Sequence, residues 1–176
     1  AHREGLPFDI VLSHKEKDWD WHYLSTLDIF VPSVDLLNYL VEHGYEIDWN
    51  SVSENKELTG DVIDTFKDKI NWNVFVNRCP ALLSITTVDF LKKYQDAISW
   101  DDFNERLGVD VTIEMLQEFA NRLNWRLVSQ SQKMKFTEEL VRKYEDKWFW
   151  SELMRNIKFQ EDIPDFENVF ASHRSI

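Results

Sequence analysis

The chain has 176 residues and 21.1 kDa, enough for one domain of ordinary size or one continuous array with a real core. Twenty Lys and Arg against 32 Asp and Glu leave a net charge of −12, which disfavours nonspecific attraction to nucleic-acid phosphate or anionic lipid. At 43% hydrophobic and 14% aromatic it is too apolar to stay disordered, and four Gly with four Pro, against roughly twelve and nine for average usage, argue against a turn-rich β fold.

No apolar run approaches the roughly 18–20 residues that span a bilayer, so no membrane segment is expected. Cys79 stands alone and cannot form an internal disulfide, and nothing resembles a signal peptide. A reducing, cytoplasmic setting is the expectation. The chain begins Ala1-His2-Arg3 without methionine and reads as an excised or processed piece.

In chain order, residues 1–17, with Leu6, Phe8, Ile10, Val11 and Leu12, are expected to cap the first helical unit. Residues 18–156 are organised by a ladder of Trp21, Trp49, Trp72, Trp100, Trp125 and Trp150. Asp20, Asp48, Asn71, Ser99 and Asn124 precede five of them, all preferred helix N-caps; Phe149 is the departure. Leu24, Val52, Phe75, Phe103, Val128 and Leu153 stand at +3, on the face of a helix that starts at Trp.

A second register lies upstream. Thr59 is succeeded by Val62, Ile63, Phe66, Ile70 and Trp72, offsets of +3, +4, +7, +11 and +13. The same offsets run from Thr87 to Trp100, from Thr112 to Trp125 and from Thr137 to Trp150. Ser33 opens the first copy, where three extra residues around Gly44 delay Trp49.

The pattern predicts long capped helices at about 34–43, 60–69, 88–96, 113–122 and 138–147. Short ones are predicted at about 21–26, 49–55, 72–78, 100–106, 125–131 and 150–156. Neither helix of a pair can bury its stripe alone, so neighbouring pairs must share a core. The expected fold is all-α, an α-solenoid-like array of about five helix-pair repeats of about 25 residues, with each indole wedged between successive pairs. Beyond Trp150 the template fails, and 157–176 is expected to be a C-terminal cap with a frayed tail.

Three stretches carry a resemblance: Asp20-Trp21-His22-Tyr23-Leu24-Ser25, Asp48-Trp49-Asn50-Ser51-Val52-Ser53-Glu54-Asn55 and Lys143-Tyr144-Glu145-Asp146-Lys147-Trp148-Phe149-Trp150. They resemble the Trp-anchored helical repeats (Asp-Trp-x-x-Leu-Ser-x-Asn type) of bacterial and large-DNA-virus proteins, over about residues 18–156. The resemblance implies shape and carries no reaction. The full Ser-x-Asn survives only at Ser53-Glu54-Asn55, and a tryptophan two before the anchor only as Trp19 and Trp148.

Catalytic signals are sparse. His2, His14, His22, His43 and His173 lack metal-site spacing, and no P-loop, dinucleotide fingerprint or Gly-x-Ser-x-Gly occurs. Cys79-Pro80 reads as a packed loop thiol. Carboxylate pairs such as Asp101/Asp102 and Glu161/Asp162 read as solvated faces, and Asp61, Asp89, Glu114 and Glu138 lie where helix starts favour negative charge. No catalytic group, metal or cofactor is expected.

Asn55, Asn77, Arg78, Glu105, Arg106, Gln130, Ser131, Arg155 and Asn156 fall at +5 and +6 after their tryptophans. In a regular stack they would align as a polar, partner-binding ridge; the plain alternative is that they only cap short helices. The expected function is a non-catalytic scaffold that binds a protein or peptide, as part of a larger protein. The alternative is an acidic inhibitor or nucleic-acid mimic that occupies a basic groove on its partner.

Overall fold

Ser33, Thr59, Thr87, Thr112 and Thr137 all sit in extended backbone, and the side-chain oxygen of each accepts from the amide three residues on. Those amides have no partner inside the helix, so the hydroxyl takes the place of water in the first turn. The helices that result are Val34–Glu42, Gly60–Thr65, Val88–Tyr94, Ile113–Phe119 and Glu138–Lys143. Short helices start at every tryptophan of the ladder: Trp21–Leu24, Trp49–Ser53, Trp72–Arg78, Trp100–Leu107, Trp125–Val128 and Trp150–Arg155. Asp20, Asp48, Asn71 and Asn124 cap theirs through the side chain, while Phe149 offers no acceptor.

The structure is a computed structural model that describes Ile10, Ser13, His14 and residues 17–173. Among the described residues every regular element is helical. The expected cap at 1–17 lies almost wholly outside the described residues, as do Arg174 to Ile176 of the tail.

All five long helices stop short of the predicted ends, the first by a single residue. In the second copy, regular helix ends at Thr65, and the amides of Lys69 and Ile70 both turn back to the Phe66 carbonyl, at 2.8 and 3.1 Å. Arg122 and Leu123 do the same to Phe119, at 2.9 and 3.1 Å. A tight closing turn at the +7 residue delivers the chain to the next tryptophan. The sequence pattern also omitted a helix at Leu82–Ile85, just after Cys79-Pro80. The C-terminal segment is two short helices, Ile157–Asp162 and Phe166–Val169, and a 3-10 turn, Ala171–His173.

The chain divides into two compact units, with the break between Ser99 and Trp100. In the N-terminal unit Leu36, Leu37, Leu40, Val62, Ile63, Phe66, Phe90, Leu91 and Tyr94 are buried, the +3, +4 and +7 positions of three copies. In the C-terminal unit Leu116, Phe119, Leu140, Val141 and Tyr144 do the same work.

Inside each unit a tryptophan meets the +7 aromatic ring of the following copy. Trp49 meets Phe66 at 5.3 Å and Trp72 meets Tyr94 at 4.9 Å, both tilted by 41°. In the C-terminal unit Trp100 meets Phe119 at 5.1 Å and 38°, and Trp125 meets Tyr144 at 5.3 Å and 41°. Offset, tilted rings at this spacing add roughly 0.5–1.5 kcal/mol beyond burial.

Within each unit the indoles stand between successive copies, as the spacing predicts, and their burial differs. Trp21 is 2% exposed, but Trp49, Trp72, Trp100, Trp125 and Trp150 are half-buried. A cation stands over the ring at two of them, Lys69 over Trp49 and Arg122 over Trp100, each at 5.7 Å. The N–H of Trp72, Trp125 and Trp150 reaches the carbonyl five residues back, on Lys67, Ala120 and Glu145. That bond fixes each ring against the closing turn of the preceding helix.

Candidate interaction face

One polar position organises the short helices. Four residues after the tryptophan stands Ser25, Ser53, Asn104 or Ser129, each buried. Ser53 and Ser129 donate back to the Trp49 and Trp125 carbonyls at 2.6 Å and accept, at 2.9 and 3.0 Å, from the amides of Asn71 and Phe149. Asn104 Nδ2 donates to the Trp100 and Arg122 carbonyls while its Oδ1 accepts from the Asn124 amide. Ser25 accepts from Asp48 in the same way and donates to His22. Every one of these acceptors receives the N–H of the residue just before the next tryptophan. The buried group is fully satisfied and fixes where the next helix begins.

A second set of bonds joins the ends of the short helices. Asn55 Nδ2 donates to the Phe30 carbonyl, and the buried Cys79 thiol donates to the carbonyl of Asn55. Ser131 Oγ donates to Val111, and Asn156 Nδ2 donates to both Ser129 and Ser131. Cys79 is thus a packed, hydrogen-bonded thiol, as its sequence context suggests.

These bonds sort the candidate ridge residues. Asn156 is 5% exposed and committed to four internal hydrogen bonds, to Ser129, Ser131, Phe159 and Gln132, so its side chain works inside the fold. Ser131 is buried, and Asn55 is half-buried. Gln130 is half-buried and donates to Glu152, which also receives Arg126 at 3.3 Å. Arg106 is half-buried as well. Asn77 and Arg78 are exposed in the N-terminal unit, with Arg78 3.8 Å from Glu54; Glu105 and Arg155 are exposed in the C-terminal unit.

Shallow grooves lie between neighbouring short helices. In the N-terminal unit Ser25, Thr26, Leu27, Asp28, Ser51, Glu54, Asn55, Lys56 and Pro80 line one of about 240 Å³. The C-terminal unit has one of about 420 Å³ beside Asp101, Asn104, Glu105, Arg122, Leu123 and Asn124. Another, of about 220 Å³, lies among Gln130, Gln132, Glu152, Arg155, Asn156 and Ile157. The ends of the short helices help to line the first and third of these grooves, and the second is walled by the start and middle of helix Trp100–Leu107 and the residues that lead to Trp125.

Two carboxylates are held by internal partners. The Tyr94 hydroxyl donates to Asp64, which also receives Lys93 at 3.1 Å; these bonds hold the Asp64 carboxyl below its ordinary range. Burial, together with that carboxylate, pushes the Tyr94 phenol up to about 12. For Asp162, burial pushes the carboxyl up, but the Lys158 ammonium and the Phe136 amide outweigh it and bring the net value down. Asp162 thus anchors the connection before Thr137.

Among the described residues no helix is long and apolar enough to cross a membrane, and no group of three or more His, Cys, Asp or Glu could hold a metal ion. No family model, curated protein or solved structure matches the chain.

The polar +4 position was missed in the sequence pattern, although Ser25, Ser53, Asn104 and Ser129 stand there at a constant distance from their tryptophans. A search for polar residues recurring on the apolar side of the short helices would find it.

Proposed function

We propose that the chain is a non-catalytic protein-interaction scaffold of the Trp-anchored repeat type, which binds a protein or peptide partner along the ends of its short helices. The observation that supports this reading is the split at +5 and +6. Asn55, Ser131 and Asn156 hold the repeats together, which leaves Asn77, Arg78, Glu105 and Arg155 outward beside a framework that keeps them in place. Rigid helical pairs that present variable surface residues are the usual basis of repeat-protein recognition.

Affinity capture with mass spectrometry tests the reading when it is repeated with R78E, E105K and R155E. A partner retained at high salt by the parent chain and lost with these reversals supports it; a partner retained equally by all of them overturns it. The surplus of 12 negative charges supports a second reading, an acidic inhibitor or nucleic-acid mimic on a basic groove. Under that reading captured proteins elute steeply as salt rises, because long-range charge attraction is screened.

A further inference from the structure

The chain is acidic as a whole, but one stretch inverts the sign. Residues 119–137 contain Arg122, Arg126, Lys133 and Lys135 and no Asp or Glu, and all four cations are exposed. Gln130 and Gln132 of that stretch line the groove of about 220 Å³ in the C-terminal unit, together with Arg155 and Ile157.

Charge and apolar surface are both left uncommitted in that groove. Glu152, the one carboxylate that lines it, is already neutralised: Arg126 lies 3.3 Å from it and Gln130 donates to it at 3.1 Å. Arg155 is exposed, and its guanidinium has no ion pair or hydrogen bond among the described residues. Ile157 is 64% exposed, the most of any large hydrophobic side chain among the described residues. Asn156 stands between them, held by its internal hydrogen bonds, so Arg155 and Ile157 leave a fixed corner where two helices meet. The side-chain nitrogens of Gln130 and Gln132 donate to Glu152, to the Gln130 carbonyl and to Asn156, which leaves the two side-chain oxygens as acceptors for N–H groups.

We propose that this groove binds a protein partner through a segment in which Asp or Glu neighbours a large apolar residue. The inference rests on the scaffold reading above and names the partner's chemistry. The carboxylate takes the Arg155 fork in two parallel hydrogen bonds, the apolar side chain covers Ile157, and peptide N–H groups donate to Gln130 and Gln132. Covering Ile157 removes apolar surface from water, and the fixed corner lowers the ordering cost of binding. The cations of 119–137 attract such a segment at longer range, whereas the rest of the chain repels it. A phosphate backbone would engage Arg155 but gain nothing from Ile157, and a second copy would bring another net charge of −12.

Selection of random peptides displayed on phage against the whole chain tests this, with the affinity of the enriched peptides measured by fluorescence anisotropy. The expected sequences pair Asp or Glu with Leu, Ile, Phe or Trp. R155E and I157D should each weaken them about ten-fold, and R155K about three-fold because lysine lacks the fork. K17E, an equal charge change in the other unit, should weaken them about two-fold at most. Both groove positions are exposed, and far-UV circular dichroism of each variant checks that the helices remain. The proposal is overturned if no sequence is enriched, if the enriched sequences are basic or lack an apolar residue, if R155E and I157D bind as the parent does, or if K17E weakens binding as much as R155E. A labelled single-stranded oligonucleotide that displaces the peptide with equal affinity, or a dimer in sedimentation that R155E dissolves, overturns it in favour of a phosphate or a second copy as occupant. Failure on any of these arms while lysate capture still depends on Arg78, Glu105 and Arg155 removes the acidic-apolar partner alone and leaves the scaffold reading standing.

Discussion

The two units tie their short helices together with the same bond made by different residues. The N-terminal unit uses serine twice, Ser25 to the Asp48 amide and Ser53 to the Asn71 amide, and then places Val76, with no polar side-chain atom, at the third position. The C-terminal unit begins with Asn104, which reaches one more carbonyl than serine can, and continues with Ser129. The Phe149 amide donates that bond to Ser129 although Phe149 cannot cap its own helix. Capping and tethering are therefore separable jobs: Phe149 lacks the first and keeps the second.

The two units should differ most at the rings. Trp125→Ala removes contacts with Tyr144 and Trp148 and the bond to Ala120, and should cost about 3–4 kcal/mol in urea unfolding monitored by far-UV circular dichroism. Trp49→Ala, whose ring meets Phe66 and lies under Lys69, should cost less, about 2–3 kcal/mol.

Next come the tethers. Asn104→Ala leaves the Asn124 amide and the Arg122 carbonyl without that side chain and should cost about 3 kcal/mol, against about 1–2 kcal/mol for Ser53→Ala. Equal losses in the same unfolding assay would mean that the extra asparagine bond contributes nothing.

A smaller effect separates the units by pH. The Tyr94 and Asp64 pair belongs to the N-terminal unit. Because the Asp64 carboxyl is lowered, its contribution is present above the ordinary carboxylate range and is lost as pH falls through the lowered value. Because the Tyr94 phenol is raised, stability holds below about pH 10 and falls as pH rises toward about 12. Tyr94→Phe should cost about 1 kcal/mol at pH 7 and flatten both limbs of the stability profile. A wild-type profile with the same limbs as the variant would show that the pair adds no pH dependence.

The smallest change should be a gain. Phe149→Asn restores the cap that Asp20, Asp48, Asn71 and Asn124 provide, at a residue that is 46% exposed, and should add about 0.5–1 kcal/mol to the melting free energy. No gain would show that the Ser129 tether already fixes that helix start.

Caps, helix starts and the apolar faces were legible in the chain because each rests on bonds that span three or four residues. Thr59 to Val62 is the same local event as Thr137 to Leu140, and an amphipathic period is a property of neighbours along one turn. The early ends of the long helices were not legible, since the closing turn at Phe66 or Phe119 depends on where the next tryptophan must be delivered. Nor was the packing of the C-terminal segment: Pro164 and the missing threonine break the template there, and only the structure sets the Phe170 and His173 rings on Trp150.

The candidate ridge was half readable for a related reason. Asn156 and Arg155 are adjacent and alike in polarity, yet one is buried in four hydrogen bonds and the other is exposed. Sequence alone determined that this protein is a helical repeat with a short helix starting at every tryptophan of the ladder, because local capping and periodicity need no distant partner. Tertiary structure decided which polar side chains hold the repeats and which are left outward. The tethers join residues 18–23 positions apart, and a bond of that span exists only once two helices have chosen their rotation about each other.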